Sequence, residues 1–180
     1  MAKTDSPAKH SPDATDLLIE ELKEIYSAES QLAKNLPRLA KAAESEALKK
    51  MLDDRLEQGE RLVDDLDRVF EQMEASPGRK KNAAAEGLIS EVREHVQDIE
   101  TGPALDIVLI GAIRKTEHYC IGAWDAVRAL AAAVREHQIV NAMERALEDA
   151  RNYDLEMTRL AETEITPALL SDEAKEDTPR

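Results

Sequence analysis

Residues 76–102 read SPGRKKNAAAEGLISEVREHVQDIETG, and how this stretch is read decides the fold. It is too long for a turn between neighbouring helices. It also carries a helix of its own, from about Ala83 to Ile99, with Leu88, Val92, Val96 and Ile99 on one side. SPGRKKN at 76–82 breaks the chain before that helix. After it, Gly102 stops the chain and Pro103 suits the first turn of the next helix.

Four long amphipathic patterns flank the link. The first runs from about Asp13 to Ala43, with Leu18, Leu22, Ile25, Leu32, Leu36 and Leu39 in a 3.6-residue rhythm. Pro37 is expected to kink it or to divide off its last turns. The second runs from about Ser45 to Ala75 with a stripe from Leu48 to Met73, the third from about Pro103 to Ala133, and the fourth from about Glu136 to Ile165. Within each pair the connection is short, so each pair forms an antiparallel hairpin. The expected fold is all-α: a ferritin-like four-helix bundle of two antiparallel helical hairpins, joined by a long crossover that carries a short fifth helix. The expected bundle spans residues 13–165, between a disordered N-terminal tail (1–12) and a polar C-terminal tail (166–180).

Composition excludes several function classes. The formal net charge is −14 and the longest lysine–arginine run is three residues, Arg79 to Lys81, so no nucleic-acid groove is expected. That run reads as a small solvated turn. No stretch of about 18 apolar residues occurs, so no membrane partner is expected. The N-terminus has no apolar segment typical of a secretory signal, and one cysteine cannot form an internal disulfide, so a cytoplasmic location is expected. GxGxxG, P-loop, HExxH and CxxC patterns are absent.

The informative residues are polar ones on apolar stripes. Glu29 interrupts the first stripe. Arg55 and Gly59 interrupt the second, with Gln58 at its flank. Glu117 and Cys120 lie on the third, and Ala150 and Asp154 on the fourth. A single inward charge is explained by a long side chain reaching out to water. Four charged residues at similar heights, Glu29, Arg55, Glu117 and Asp154, point to a polar layer, because a buried carboxylate is costly unless paired or metal-bound. Cys120 reads either as a small buried hydrophobe or as a redox-sensing thiol. His118 points elsewhere, sharing a face with Gly111 and Gly122 where another helix or subunit could pack.

The segments LLIEELKEIYSAESQLAKNLPRLAKAAES, AAEGLISEV and GPALDIVLIGAIRKTEHYCIGAWDAVRALA resemble the YciF-like branch of the ferritin-like superfamily over about residues 15–164. The resemblance implies a bundle that is usually a homodimer, an association with bacterial stress responses, and a two-metal carboxylate site by analogy with rubrerythrins. Glu29 matches the family's first-helix glutamate. Where the family reads His-Leu-x-Glu-Thr, this chain has RLEQG, placing Arg55, Gln58 and Gly59. Where it reads Glu-His-Tyr-Glu, EHYC keeps Glu117 and His118 but substitutes Cys120. On the last helix EDARNYD supplies Asp149, Ala150 and Asp154. The metal candidates are therefore Glu29, Gln58, Glu117, Asp149 and Asp154, with Arg55, Cys120 and Ala150 standing at expected ligand positions.

Two expectations follow from these departures. In the first, Arg55 replaces the metal's charge by pairing with Glu29 or Glu117, leaving a degenerate site with no metal or a weakly bound one. In the second, Glu57 or Glu60 turns inward and a single Mn, Fe or Zn ion still binds. An Fe or Mn carboxylate protein with oxidase or peroxidase-type activity is the functional alternative. A large iron-storage shell is not expected of a YciF-like protein.

Overall fold

The computed structural model describes residues 11–176. Most of the expected N-terminal tail, residues 1–10, lies outside them. Six α-helices run in chain order: α1 (Ala14–Ala42), α2 (Glu46–Gln72), α3 (Ala83–Asp98), α4 (Pro103–Ala133), α5 (His137–Leu160) and α6 (Thr166–Glu176). No strand occurs among the described residues.

Local chemistry sets the helix starts. Asp13 accepts from the Thr15 and Asp16 amides at 2.8 and 2.9 Å, and Asp16 accepts from the Asp13 amide at 3.3 Å, a reciprocal capping box. Ser45 caps α2 and Asn82 caps α3 through the Leu48 and Ala85 amides. Pro103 begins α4 after Gly102, as expected.

Helices α1 and α2 form one hairpin and α4 and α5 the other. α1 also packs on α4, and α2 on α5, which closes the four-helix bundle. α3 lies across α1 and α4 as the crossover. Buried Asp106, near the start of α4, accepts from the Glu44 and Ser45 amides in the α1–α2 turn at 2.9 and 2.8 Å. The beginning of α4 thus sits against the turn of the first hairpin.

Two apolar clusters fill the bundle. One, near the α1–α2 turn, gathers Leu36, Leu39, Leu48, Leu52, Leu109 and Met157. The other, towards the α4–α5 turn, gathers Leu22, Leu66, Phe70, Trp124, Val127 and Met143. The candidate site lies between them.

Two expectations about the chain need correction. Of the two outcomes expected at Pro37, division does not occur: α1 runs on through it, and Pro37 is exposed on the solvent side, where water can serve the Ala33 carbonyl that loses its usual donor. The chain also does not become a tail at residue 166. α5 passes through a π-helical turn, Ala161–Ile165, in which the Thr166 amide bonds the Ala161 carbonyl, and continues as α6 to Glu176. That wide turn shifts the hydrogen-bond register just ahead of Pro167, which has no amide to donate. Residues 177–180 of the expected tail lie outside the described residues.

Candidate functional site

The polar layer is built on Arg55. Its Nε donates to Glu117 Oε1 at 2.5 Å, and its Nη2 donates to both Glu29 oxygens, Oε1 at 3.2 Å and Oε2 at 3.0 Å. One guanidinium from α2 therefore holds carboxylates from α1 and α4, where pairing with either one was expected. All three side chains are 3% exposed or less. The Trp124 ring lies 5.9 Å from the guanidinium carbon, within cation–π range.

Gly59, one turn beyond Arg55 on α2, makes the room for this arrangement. A Cβ there would stand 2.9 Å from Arg55 Nη1 and 3.2 Å from Glu29 Oε2. A side chain at Gly59 and the ion pair therefore compete for the same space.

Electrostatics keep the arginine charged. Burial alone would push the Arg55 guanidinium down, but Glu117 and Glu29 more than offset it, and its pKa lies well above the ordinary value. Burial pushes the Glu117 carboxyl up. The Arg55 charge pulls it back and the Glu29 charge raises it again, leaving it above the ordinary value. Glu117 Oε2 has no hydrogen-bond partner among the described residues. Burial, then the Glu29 and Glu117 charges, pushes the Cys120 thiol well up, so it stays protonated. A buried neutral thiol matches the small-hydrophobe reading of Cys120, not that of a reactive sensor.

The remaining candidates do not converge on this layer. Gln58 is half-buried and Asp149 exposed, and both stand at the mouth of a cavity of about 210 Å³ between α2 and α5. Arg55, Glu117, Trp124 and Ala150 also line that cavity. Asp154 is not inward, contrary to expectation. It is 19% exposed on the α4–α5 seam, where it accepts from Arg114 Nε at 2.7 Å and lies 3.5 Å from His118 Nε2. The inward positions after Ala150 are Tyr153 and Met157, three and seven residues on, so Asp154 falls about 100° to the side of Tyr153. His118 is 62% exposed and does not turn inward, and Glu57 and Glu60 are both exposed. Among the described residues no group of three or more His, Cys, Asp or Glu side chains is placed to hold a metal ion.

The family of unknown function DUF892 matches residues 13–170 of this chain. The chain belongs to that family. Protein YciF of Escherichia coli (strain K12) is 32% identical over 147 residues, covering 81% of this chain and 89% of YciF. The crystal structure of the E. coli stress protein YciF superposes with a TM-score of 0.79 at 31% identity, covering 84% of this chain and 96% of that one. YcfI from Rhodopseudomonas palustris superposes with a TM-score of 0.78 at 26% identity, with the same coverage. This is a YciF-like helical bundle, as its sequence resemblance implied.

Reading the sequence for site residues passed over two buried polar residues, one beside the centre of this YciF-like bundle and one at its α1–α2 turn. Tyr153 reads as core, yet its buried hydroxyl has no hydrogen-bond partner among the described residues, and burial followed by the Glu117 charge pushes its phenol far up. A hydroxyl on an apolar stripe is the signal that marked it. Asp106 reads as an ordinary acidic residue in a helix's first turn, and nothing local shows that its oxygens serve another helix.

Proposed function

We propose that this chain is a stress-associated YciF-like bundle whose central metal position has been rewritten as a salt bridge. In this reading it acts through its surfaces and not through di-metal chemistry. The observation that carries it is Arg55, bonded at once to Glu117 and Glu29. A di-metal carboxylate centre in such a bundle uses four carboxylates and two histidines. Here the two inward carboxylates already share one cation, and no histidine joins them. A divalent ion about 4 Å from the guanidinium would meet roughly 8 kcal/mol of repulsion at an effective dielectric near 20. The residues present therefore fit an arginine and not an Fe or Mn pair.

The experiment is elemental analysis of untagged protein after incubation with Fe(II) or Mn(II), for wild type and for the double variant Arg55→His/Gln58→Glu. The expected result is an empty wild type and a variant that gains metal. Stoichiometric metal in the wild type would overturn the reading in favour of an oxidase or peroxidase-type protein. A cytoplasmic homodimer completes the proposal, and sedimentation of the purified chain tests its oligomeric state. No described helix is long and apolar enough to cross a membrane.

A further inference from the structure

The second feature of interest lies outside the bundle, where SPGRKKN folds against α1 and α3. Five cations line one cavity there: Lys34 from α1, Arg79, Lys80 and Lys81 from the 76–82 segment, and Arg93 from α3. Its volume is about 490 Å³. In a chain of formal charge −14, this concentration of positive charge is exceptional.

The cations are only partly neutralised. Lys80 bonds Glu24 at 3.0 Å and Lys81 bonds Glu86 at 2.8 Å. Arg93 spends Nε and Nη2 on the neutral Asn35 Oδ1, at 3.0 and 2.5 Å, and no carboxylate pairs with it among the described residues. Among the described residues Lys34 and Arg79 have no carboxylate partner. Three positive charges therefore remain uncompensated around one concave space. The Ser30 hydroxyl, which also lines it, makes no hydrogen bond among the described residues.

The rest of the lining is mixed: Ser27, Gln31, Asn35 and Glu86 are polar, and an apolar wall comes from Tyr26, Pro77 and Ile89. Ile89 is buried, and the Tyr26 ring is held edge-on against Phe70 with centroids 5.9 Å apart. The guanidinium fork of Arg79, the Nη1 edge that Arg93 keeps free of Asn35, and a lysine match the donors that phosphate oxygens take. The adjacent ring and aliphatic wall suit a flat apolar body. The volume falls in the range of small-molecule pockets, roughly 300–1,000 Å³.

We propose that this pocket binds a phosphate-bearing small molecule of about nucleotide size, held by Lys34, Arg79 and Arg93. The assignment is independent of the central salt bridge. The acidic surface decides between a small anion and a nucleic acid. Screening over about 8 Å at physiological salt lets the local cations dominate inside the pocket. A long polyanion would instead extend over carboxylates on every side.

The test is calorimetric titration of the full chain with pyrophosphate, ADP and a DNA duplex. The comparison is with the double variant Lys34→Gln/Arg79→Gln, which alters two exposed side chains and leaves the core untouched. Wild type is expected to bind both pyrophosphate and ADP with Kd below about 1 mM. The double variant should lose at least about tenfold, and raising salt from about 50 to 200 mM should weaken wild-type binding. No binding of either small anion, or equal binding by the variant, would overturn the site. Binding of pyrophosphate without ADP would overturn its nucleotide size, and tighter binding of the duplex than of ADP would overturn the small-molecule assignment.

Discussion

Arg55 and Arg114 both hold carboxylates on other helices of this bundle, in opposite surroundings. Arg55 is 3% exposed and holds Glu29 and Glu117, exposed 1% and 0%. Arg114 is 36% exposed and pairs with Asp154 at 19%. At the buried site, desolvation and attraction are both large. The Arg55 pairs largely offset a burial cost, so the layer is a commitment that fails badly when one member is removed. At the seam, water and salt already screen the pair, and little depends on it. Similar donor–acceptor chemistry thus has different consequences in the two places.

The comparison can be broken most directly at Arg55. Arg55→Ala leaves two carboxylates buried without a cation, and a loss of about 3–5 kcal/mol is expected in urea unfolding. The triple replacement Glu29→Leu/Arg55→Met/Glu117→Leu should be far less harmful, and at least as stable as wild type, because it removes the desolvation cost together with the attraction. A triple variant weaker than Arg55→Ala would mean that the layer cannot be exchanged for apolar packing.

Gly59→Ala comes next. Overpacking costs about 1–3 kcal/mol, against a helix-propensity gain of up to about 1 kcal/mol, so a net loss is expected. In an Arg55→Ala background the contact at 2.9 Å disappears and only that at 3.2 Å to Glu29 Oε2 remains, so the same substitution should cost less than in wild type. Equal destabilisation in both backgrounds would show that Gly59 is not there for the arginine.

Arg114→Ala should cost only about 0.2–1 kcal/mol, and less as salt rises. The Arg55→Ala penalty should hardly change over the same salt range. Equal salt sensitivity at the two sites would remove the distinction between them.

The smallest expected effect is one of pH, and it runs in opposite directions at the two sites. Below the ordinary glutamate value of 4.5, both the folded and the unfolded chain keep the Glu117 proton. Above it the unfolded chain releases that proton first, so the native state loses relative stability until its own raised pKa is passed. Asp154, held low first by the Arg114 hydrogen bond, contributes stability above its ordinary value of 3.8 that is lost as pH falls through its lowered pKa. Unfolding across acidic pH should therefore show the margin of wild type over Glu117→Gln shrinking as pH rises from 4.5, and its margin over Asp154→Asn growing as pH rises through the Asp154 range.

The helical scaffold was readable because each core stripe repeats within one helix. Pro103–Ala133 came out as expected, with Gly102 and Pro103 marking its start. Glu29, Arg55 and Glu117 were legible as inward charges for the same reason, since each takes its place in an apolar rhythm. Asp154 was misplaced because one residue turns a helix by about 100°, and the stripe there passes through Tyr153. Arg55 bridging both carboxylates depends on side-chain reach across three helices, which no local pattern encodes. The helix beyond residue 166 was hidden by Pro167, whose missing amide the preceding π-helical turn accommodates. The end of α2, expected near Ala75 and found at Gln72, was blurred because Glu74 adopts a φ of 51° at a turn position where glycine is the usual marker.

The buried Asp106 has a consequence for how the chain is made. Its acceptors serve amides 61 and 62 residues earlier. While the ribosome has delivered only the first hairpin, those two donors in the α1–α2 turn can be met only by water. The hairpin tightens when the first turn of α4 emerges and its carboxylate arrives. The second hairpin thus supplies the acceptors that complete the turn of the first.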